Sequence, residues 1–320
     1  MVALNLSHNN YQTLLQNLAR QLKVKPENNS IIIPPDIGEG IIKVIFLPNG
    51  LQTLMIKINF YKNVLVKSGN TSQGDYVLNF DESEMPNENN ADSESTINSF
   101  VRLTGASFKH WEVLKKKSSI QYVKILFSKA WLSNYIGLRE KMSIFEKYIP
   151  VKSDAAEKEK LNEEYRKIIS ELWLINDNDP LQNIYYNNRL LLLVEQFFTK
   201  MHAEMLSTKG KYKLSADDIL KLKKVETILN SPGRNSPDIE ALAKKLYMTK
   251  AKLADAFKQV YGSSIYSYYQ NQRMQKANEL LNTKNFSVKE VSQKLGYTNL
   301  SNFVLAFTKQ FNISPGSLLE

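Results

Sequence analysis

Cysteine is missing from all 320 positions of this chain, which excludes disulfides, thiolate nucleophiles and thiolate metal sites together. Histidine is nearly as scarce. His8, His110 and His202 are the only three, far apart and without metal-ligand spacing, so no histidine cluster exists to hold a metal. No phosphate-cradling GxxxxGK loop followed by Ser or Thr occurs, and Gly38-Glu39-Gly40 reads as a turn. Long apolar runs are absent as well: the longest, residues 190–194, has five members, against the ~20 that a membrane span needs. The start, MVALNLSHNN, lacks the basic residues and apolar stretch of a secretory signal. These absences leave no catalytic residue, cofactor or metal to nominate. They set the expectation of a cytoplasmic, non-enzymatic protein with no membrane partner.

What the chain does have is basic charge, unevenly placed. Residues 210–320 carry 17 Lys/Arg against 9 Asp/Glu, a net of +8, whereas residues 1–209 carry 25 against 23, a net of +2. Cationic charge concentrated in one third of a protein is what attraction to phosphate requires.

The same third contains one pattern twice. Residues 239–262 read IEALAKKLYMTKAKLADAFKQVYG and residues 288–312 read VKEVSQKLGYTNLSNFVLAFTKQFN. In the first helix of each copy Ile239 matches Val288, Leu242 matches Val291 and Leu246 matches Leu295, an offset of 49. Beyond the turn the offset is 50: Leu253 matches Phe303, Ala256 matches Ala306, Phe257 matches Phe307 and Tyr261 matches Phe311. Apolar residues at helical spacing give each helix one buried stripe. A copy this short cannot bury its own core, so the two copies and the helix joining them, residues 265–281, are expected to fold as one unit. Two helix-turn-helix motifs placed in this way suit two successive turns of a major groove. The tyrosines at 261, 266, 268 and 269 are assigned to the seam between the motifs rather than to base stacking.

Upstream the period differs. Residues 41–47 (IIKVIFL), 53–61 (TLMIKINFY), 63–67 (NVLVK), 75–80 (DYVLNF), 97–103 (INSFVRL) and 121–128 (QYVKILFS) are short apolar or alternating bursts. Turn residues separate them, including Pro48-Asn49-Gly50 and Ser68-Gly69-Asn70. This spacing predicts an antiparallel sandwich or barrel over residues 31–130. Residues 81–96, DESEMPNENNADSEST, are acidic and polar, and read as a loop or a long solvated hairpin tip. From 131 to 206 the period becomes helical. Residues 155–173 form a charged amphipathic stretch, and residues 180–205 carry Leu190, Leu193, Phe197, Met201 and Met205 on one side. That stripe either packs across the sheet domain or pairs with its copy in a dimer. Lys209-Gly210-Lys211 reads as a hinge. Residues 214–229 form a helix with Ser215 as its N-cap and Asp217 and Asp218 in the first turn, ended by Ser231-Pro232-Gly233, and Asp238 opens the first motif.

Residues 214–320 resemble the DNA-binding domain of the AraC/XylS family of bacterial transcription regulators. The resemblance rests on the first copy, on Arg273 and Ala277 in the linking helix, and on Gly296-Tyr297, Asn302-Phe303, Ala306-Phe307, Phe311 and Ser314-Pro315. It implies an α+β protein in three parts: an N-terminal effector-binding or dimerisation domain (1–206), antiparallel and cupin-like followed by helices; a hinge (207–213); and an all-α DNA-binding domain (214–320). It also implies promoter DNA, a small-molecule effector, a second copy of the chain and RNA polymerase as partners. Relatives that use this module for alkyl transfer need a reactive cysteine, which this chain lacks. By resemblance the recognition helices are Lys250–Tyr261 and residues 299–311. The groove-facing candidates are Thr249, Lys250, Ala251, Lys252, Ala254, Asp255 and Lys258 in one, and Asn299, Leu300, Ser301, Asn302, Leu305 and Lys309 in the other. Lysines contact phosphate or guanine, asparagine pairs with adenine, and Leu300 can meet a thymine methyl.

Two positions depart from the family. Asp255 and Leu305 stand at matching places where an arginine often reaches bases, which predicts unusual or weaker sequence reading. Asn312 replaces a closing glycine and is the best substitute for a left-handed cap. The departures motivate an alternative, a protein-interaction module that has lost sequence reading. An effector pocket in the strand region would draw on Ile56, Ile58, Phe60, Tyr76, Phe80, Tyr122 and Phe127, although alternation leaves open which face is inside.

Overall fold

The computed structural model describes every residue except 1, 7–9, 70–74, 87–94, 106–107, 136–143, 156–157, 207–213, 231–235, 312 and 320. The chain divides into two compact units, Met1–Met205 and Leu206–Glu320.

The first unit is built on two sheets. In the smaller, β1 (Val2–Asn5) runs parallel to β5 (Val64–Gly69), and β5 is antiparallel to β8 (Lys109–Leu114). The larger is antiparallel throughout. Its order is β10 (Glu159–Lys160), β7 (Thr96–Thr104), β6 (Asp75–Met85), β9 (Ser119–Ser128), β4 (Gln52–Phe60), β3 (Gly38–Phe46) and β2 (Ser30–Ile32). One core joins both sheets to α1 (Tyr11–Leu22): Val64, Val66 and Leu114 from the small sheet meet Ile42, Leu54, Ile56, Ile58, Phe60 and Tyr122 from the large one, with Leu14 and Leu18 from the helix. β3 and β4 approach closely at Gly40, where φ is 150° and an added Cβ would overlap the Lys57 carbonyl oxygen.

The other face of the large sheet is covered by α4 (Glu163–Trp173) and α5 (Gln182–Leu206). Phe80 packs on Tyr165 with ring centroids 5.1 Å apart, and Phe127 on Phe198 at 6.0 Å. Both faces of this sheet are therefore buried, which is why its strands read as apolar bursts rather than clean alternation. The stripe on α5 is spent here: Leu190, Leu193, Phe197 and Met201 are each no more than 3% exposed. It packs within its own unit and is not available to a second copy.

The structure corrects several expectations in this unit. β1, α1, β2 and β8 fall where no element was assigned. Residues 81–85 are not loop: β6 continues through Met85 and pairs with β7, with Asp81 and Ser83 buried, while 87–94 lie outside the described residues. Residues 155–173 are not one helix either. α3 (Ile144–Ala155) ends at Ala155, β10 pairs with β7, and α4 starts only after Asn162, whose side chain accepts from the Tyr165 N–H at 2.9 Å. A short helix α2 (Lys129–Tyr135) follows β9. The expected pocket residues divide by strand parity: Ile56, Ile58, Phe60 and Tyr122 face the space between the sheets, and Tyr76, Phe80 and Phe127 face the helices.

The second unit is all helical: α6 (Ala216–Leu229), α7 (Ile239–Lys245), α8 (Lys250–Tyr261), α9 (Ile265–Asn282), α10 (Val288–Lys294), α11 (Leu300–Phe311) and a final 3-10 turn, Pro315–Leu318. Ser215 and Asp218 form a capping box on α6. α9 packs against α6, α8, α10, α11 and the final 3-10 turn. Its residues Met274, Ala277 and Leu281 share a core with Val291, Leu295, Phe303 and Phe307. Tyr261, Tyr268 and Tyr269 are buried in the seam, but Tyr266 is half exposed, so the tyrosine stripe is only partly core. The hinge at 207–213, Ser231-Pro232-Gly233 and Asn312 lie outside the described residues.

Phe307 is fully buried, and truncating such a ring costs about 3–5 kcal/mol. Phe307→Ala is expected to lower the urea midpoint of the helical circular-dichroism signal by a corresponding amount; an unchanged midpoint would show that the ring does not anchor α11.

Candidate nucleic-acid interface

The two copies repeat each other in structure, cap for cap. Asp238 caps α7 by accepting from Glu240 N–H at 2.9 Å and Ala241 N–H at 3.0 Å, and Ser287 caps α10 through a capping box with Glu290. The turn then needs one left-handed residue. In the second copy this is Gly296 at φ 78°; in the first it is Tyr247 at φ 53°. Thr249 next caps α8, its Oγ accepting from Lys252 N–H at 3.1 Å, and Asn299 caps α11 by accepting from Ser301 N–H at 2.8 Å. The second turn is one residue longer, which is the change of offset from 49 to 50 in physical form.

α8 and α11 are each packed into the unit by one face. Leu253, Ala256, Phe257 and Val260 of α8 and Phe303 and Phe307 of α11 have no exposed surface. Phe257 stacks on Tyr261 at 4.2 Å and meets Tyr268 edge-on at 5.5 Å; Phe303 and Phe307 lie 5.9 Å apart. The second turn is locked further by Arg273 of α9. Its guanidinium donates to the Leu295 carbonyl at 2.5 Å and lies 4.2 Å from the Tyr297 ring.

The outer faces are open. Thr249, Lys250, Ala251 and Lys258 are exposed on α8, and Asn299, Leu300, Ser301, Asn302, Leu305 and Lys309 on α11; Ala254 and Asp255 are half-buried. Three assignments change in character. Thr249 and Asn299 cap their helices, so their side-chain oxygens are engaged with backbone. Lys252 is not an open cation, because its Nζ lies 2.7 Å from Asp218 Oδ1, and Asp218 is only 4% exposed. Lys252 ties α8 to the start of α6. Burial alone would raise the Asp218 carboxyl's pKa; hydrogen bonds from Lys252 and Ser215 outweigh burial and hold it below the ordinary carboxylate value.

Sequence reasoning also missed Tyr247. It is 93% exposed and borders a cleft of about 400 Å³ with Leu220, Lys224 and Lys245. The signal was available: the offset of 49 sets Tyr247 against Gly296, where a glycine is the cheaper residue for a left-handed turn.

A second group of polar residues lies between the sheets of the first unit. Asp81, Arg102 and Lys124 are all under 5% exposed; Lys124 Nζ is 2.9 Å from Asp81 Oδ1 and Arg102 Nη2 is 3.3 Å from Asp81 Oδ2. Tyr122 donates to Glu112 at 3.0 Å, and the Arg102 guanidinium lies against the Phe100 and Phe108 rings with its Nε unpaired. Burial, then the cations Arg102, Lys158 and Lys124, push His110 well below its usual pKa and keep it neutral. Burial raises the Glu112 carboxyl. The space between the sheets thus has one apolar end and one ionised end.

A family model described as a helix-turn-helix domain matches residues 242–320. The HTH-type transcriptional regulator AlkR of Acinetobacter baylyi is 31% identical over 77 residues, 24% of this chain and 25% of that protein. RclR of Escherichia coli, an RCS-specific HTH-type transcriptional activator, is 27% identical over 96 residues, 30% of this chain and 34% of its own. The chain thus spans a quarter to a third of the length of these relatives. Among solved structures, the DNA-binding domain of AdpA in complex with a target DNA aligns at 27% identity over 30% of this chain and 87% of that one, TM-score 0.28. ToxT from Vibrio cholerae aligns at 16% identity over 84% of this chain and 97% of its own, TM-score 0.37. No helix among the described residues is long and apolar enough to cross a membrane.

Asp218→Asn is expected to destabilise the helical unit at neutral pH by about 1–3 kcal/mol, because it leaves Lys252 without its anion. The wild-type carboxyl titrates below its unfolded value of 3.8, so its contribution is complete above that pH and disappears as pH falls through the folded value. The two proteins should converge in urea stability at low pH; a difference that persists there would refute the ion-pair assignment.

Proposed function

We propose that the chain is a sequence-specific DNA-binding transcription regulator. Residues 214–320 bind promoter duplex through α8 and α11, and residues 1–206 respond to a small effector or to a second copy. The observation that carries this reading is the division of α8 and α11 each into a fully buried inner face and an open outer one, within residues 210–320, whose net charge is +8. A helix held on one side by its own unit and bare on the other fits a major groove. Lys250 and Lys258, both exposed on α8, serve phosphate, and Ser301, Asn302 and Leu305 on α11 meet base edges.

The mechanism is non-catalytic: effector binding shifts a population between states that occupy DNA differently. Support for an effector comes from the ionised end of the space between the sheets. Buried charges cost folding free energy and add little stability of their own, so recognition of a polar ligand is one reason for a fold to keep them. Dimerisation through this unit would use the exposed Ile184 and Leu192 of α5, since the opposite stripe of that helix is buried.

A second reading, an interaction module without sequence preference, is favoured by two features of α8: Lys252 is committed to Asp218, and Asp255 places a carboxylate beside the reading positions. Binding of the full chain to the DNA upstream of its own gene, compared with a scrambled duplex of equal composition at one salt concentration, separates the two.

Affinity for duplex is expected to fall linearly on a log–log plot against salt, and Lys250→Ala or Lys258→Ala should each lower the slope by about one. A flat salt response would count against phosphate contact altogether.

A further inference from the structure

The two outer faces differ in chemistry. On α8 the exposed positions at i and i+8 are Lys250 and Lys258. On α11 Ser301, Leu305 and Lys309 follow at i, i+4 and i+8, so they share one side of the helix, with Asn302 beside them. Leu305 lies at the middle of that side and is 69% exposed, and Leu300, the first residue of the helix, is 43% exposed. Neither is needed to hold α11, whose anchors Phe303 and Phe307 are fully buried. A single exposed leucine is ordinary on a protein surface. Here its position decides what it touches, because it occupies the middle of the face that meets the groove.

Resting on the DNA-binding reading above, we propose that α11 selects A·T pairs, with Leu305 packing on the C5-methyl group of thymine. A leucine side chain has no donor or acceptor, and the thymine methyl is the one apolar feature that base edges present in the major groove. Asn302, one helical step from Ser301 and exposed, matches the other half of the same pair, since its amide both donates to and accepts from the N7 and N6 edge of adenine. The outer side of α11 carries no carboxylate among Ser301, Asn302, Leu305 and Lys309, so nothing on it favours a cytosine amino group. Leu305 is thus a specificity residue, and the absence of a long cation at this position changes which base is read rather than ending the reading.

The test uses the full chain and a randomised duplex pool. Enriched duplexes are sequenced, and each thymine of the consensus is replaced singly by deoxyuridine, which lacks only the methyl group. Binding is then measured at one salt concentration. Loss of one buried methyl corresponds to about a fourfold weaker complex. That loss is expected at one or two thymines confined to one half of the site. Leu305→Ala should weaken binding to the thymine duplex by a similar factor and become insensitive to the uridine replacement, with its helical circular dichroism unchanged. Equal binding of every uridine duplex by the wild type, a consensus without thymine in either half, or a uridine effect that survives in Leu305→Ala would overturn the assignment while leaving DNA binding intact. A pool that yields no enriched sequence would overturn the DNA-binding reading and this inference with it.

Discussion

α8 and α11 each depend on a small set of aromatic contacts along one side. Phe257 packs on Tyr261 and Tyr268, and Phe303 and Phe307 share a core with Met274, Ala277 and Leu281 of α9. Because burial of one stripe supplies most of the packing free energy for the helix, exposed positions on the opposite stripe such as Lys250, Ser301 and Leu305 are not needed to pack it. The caps complete the arrangement. Asp238, Thr249, Ser287 and Asn299 satisfy the first N–H groups of four helices, so each short helix begins at a defined residue. Function is then a matter of what the free stripes carry.

The helical unit was legible from its sequence in unusual detail because its signals are local and duplicated. Ser215 sits at the cap where its residue type placed it, Asp238 opens the first motif as expected, and the linking helix runs within one residue of its expected bounds. Side-chain pairing at longer range was not legible. The Lys252–Asp218 contact joins residues 34 apart in sequence, and no periodicity announces which lysine on a basic helix is engaged. Asn299 was read as a groove residue because asparagine suits adenine, but asparagine suits an N-cap equally, and the competition is decided by backbone geometry.

The strand unit shows the opposite balance. Its six apolar bursts all became strands, yet the polar segments between them misled. Asp81 and Ser83 look solvated by composition, and only the pairing of β6 with both β7 and β9 places them inside. Glu159 and Lys160 belong to a strand because β7 offers them an edge, a non-local cause invisible in a charged, helix-favouring stretch. β8 carries His110 and Glu112 inward, so its alternation is polar where a sheet core is expected to be apolar. Burial on both faces of the larger sheet also removed the parity signal by which an inner face is normally told from an outer one.

The extra residue in the second turn has a consequence for how the protein would lie along a duplex. With unequal turns, and with Lys250 and Asp255 on one helix answered by Leu300 and Leu305 on the other, the two motifs are not interchangeable copies. On the proposed DNA-binding reading a single chain is a directional object, and its target would have a left and a right end rather than mirror halves. Reversing such a target relative to a start site would turn every surface of the bound protein to the opposite side, so the orientation of the sequence, as well as its presence, becomes part of the signal.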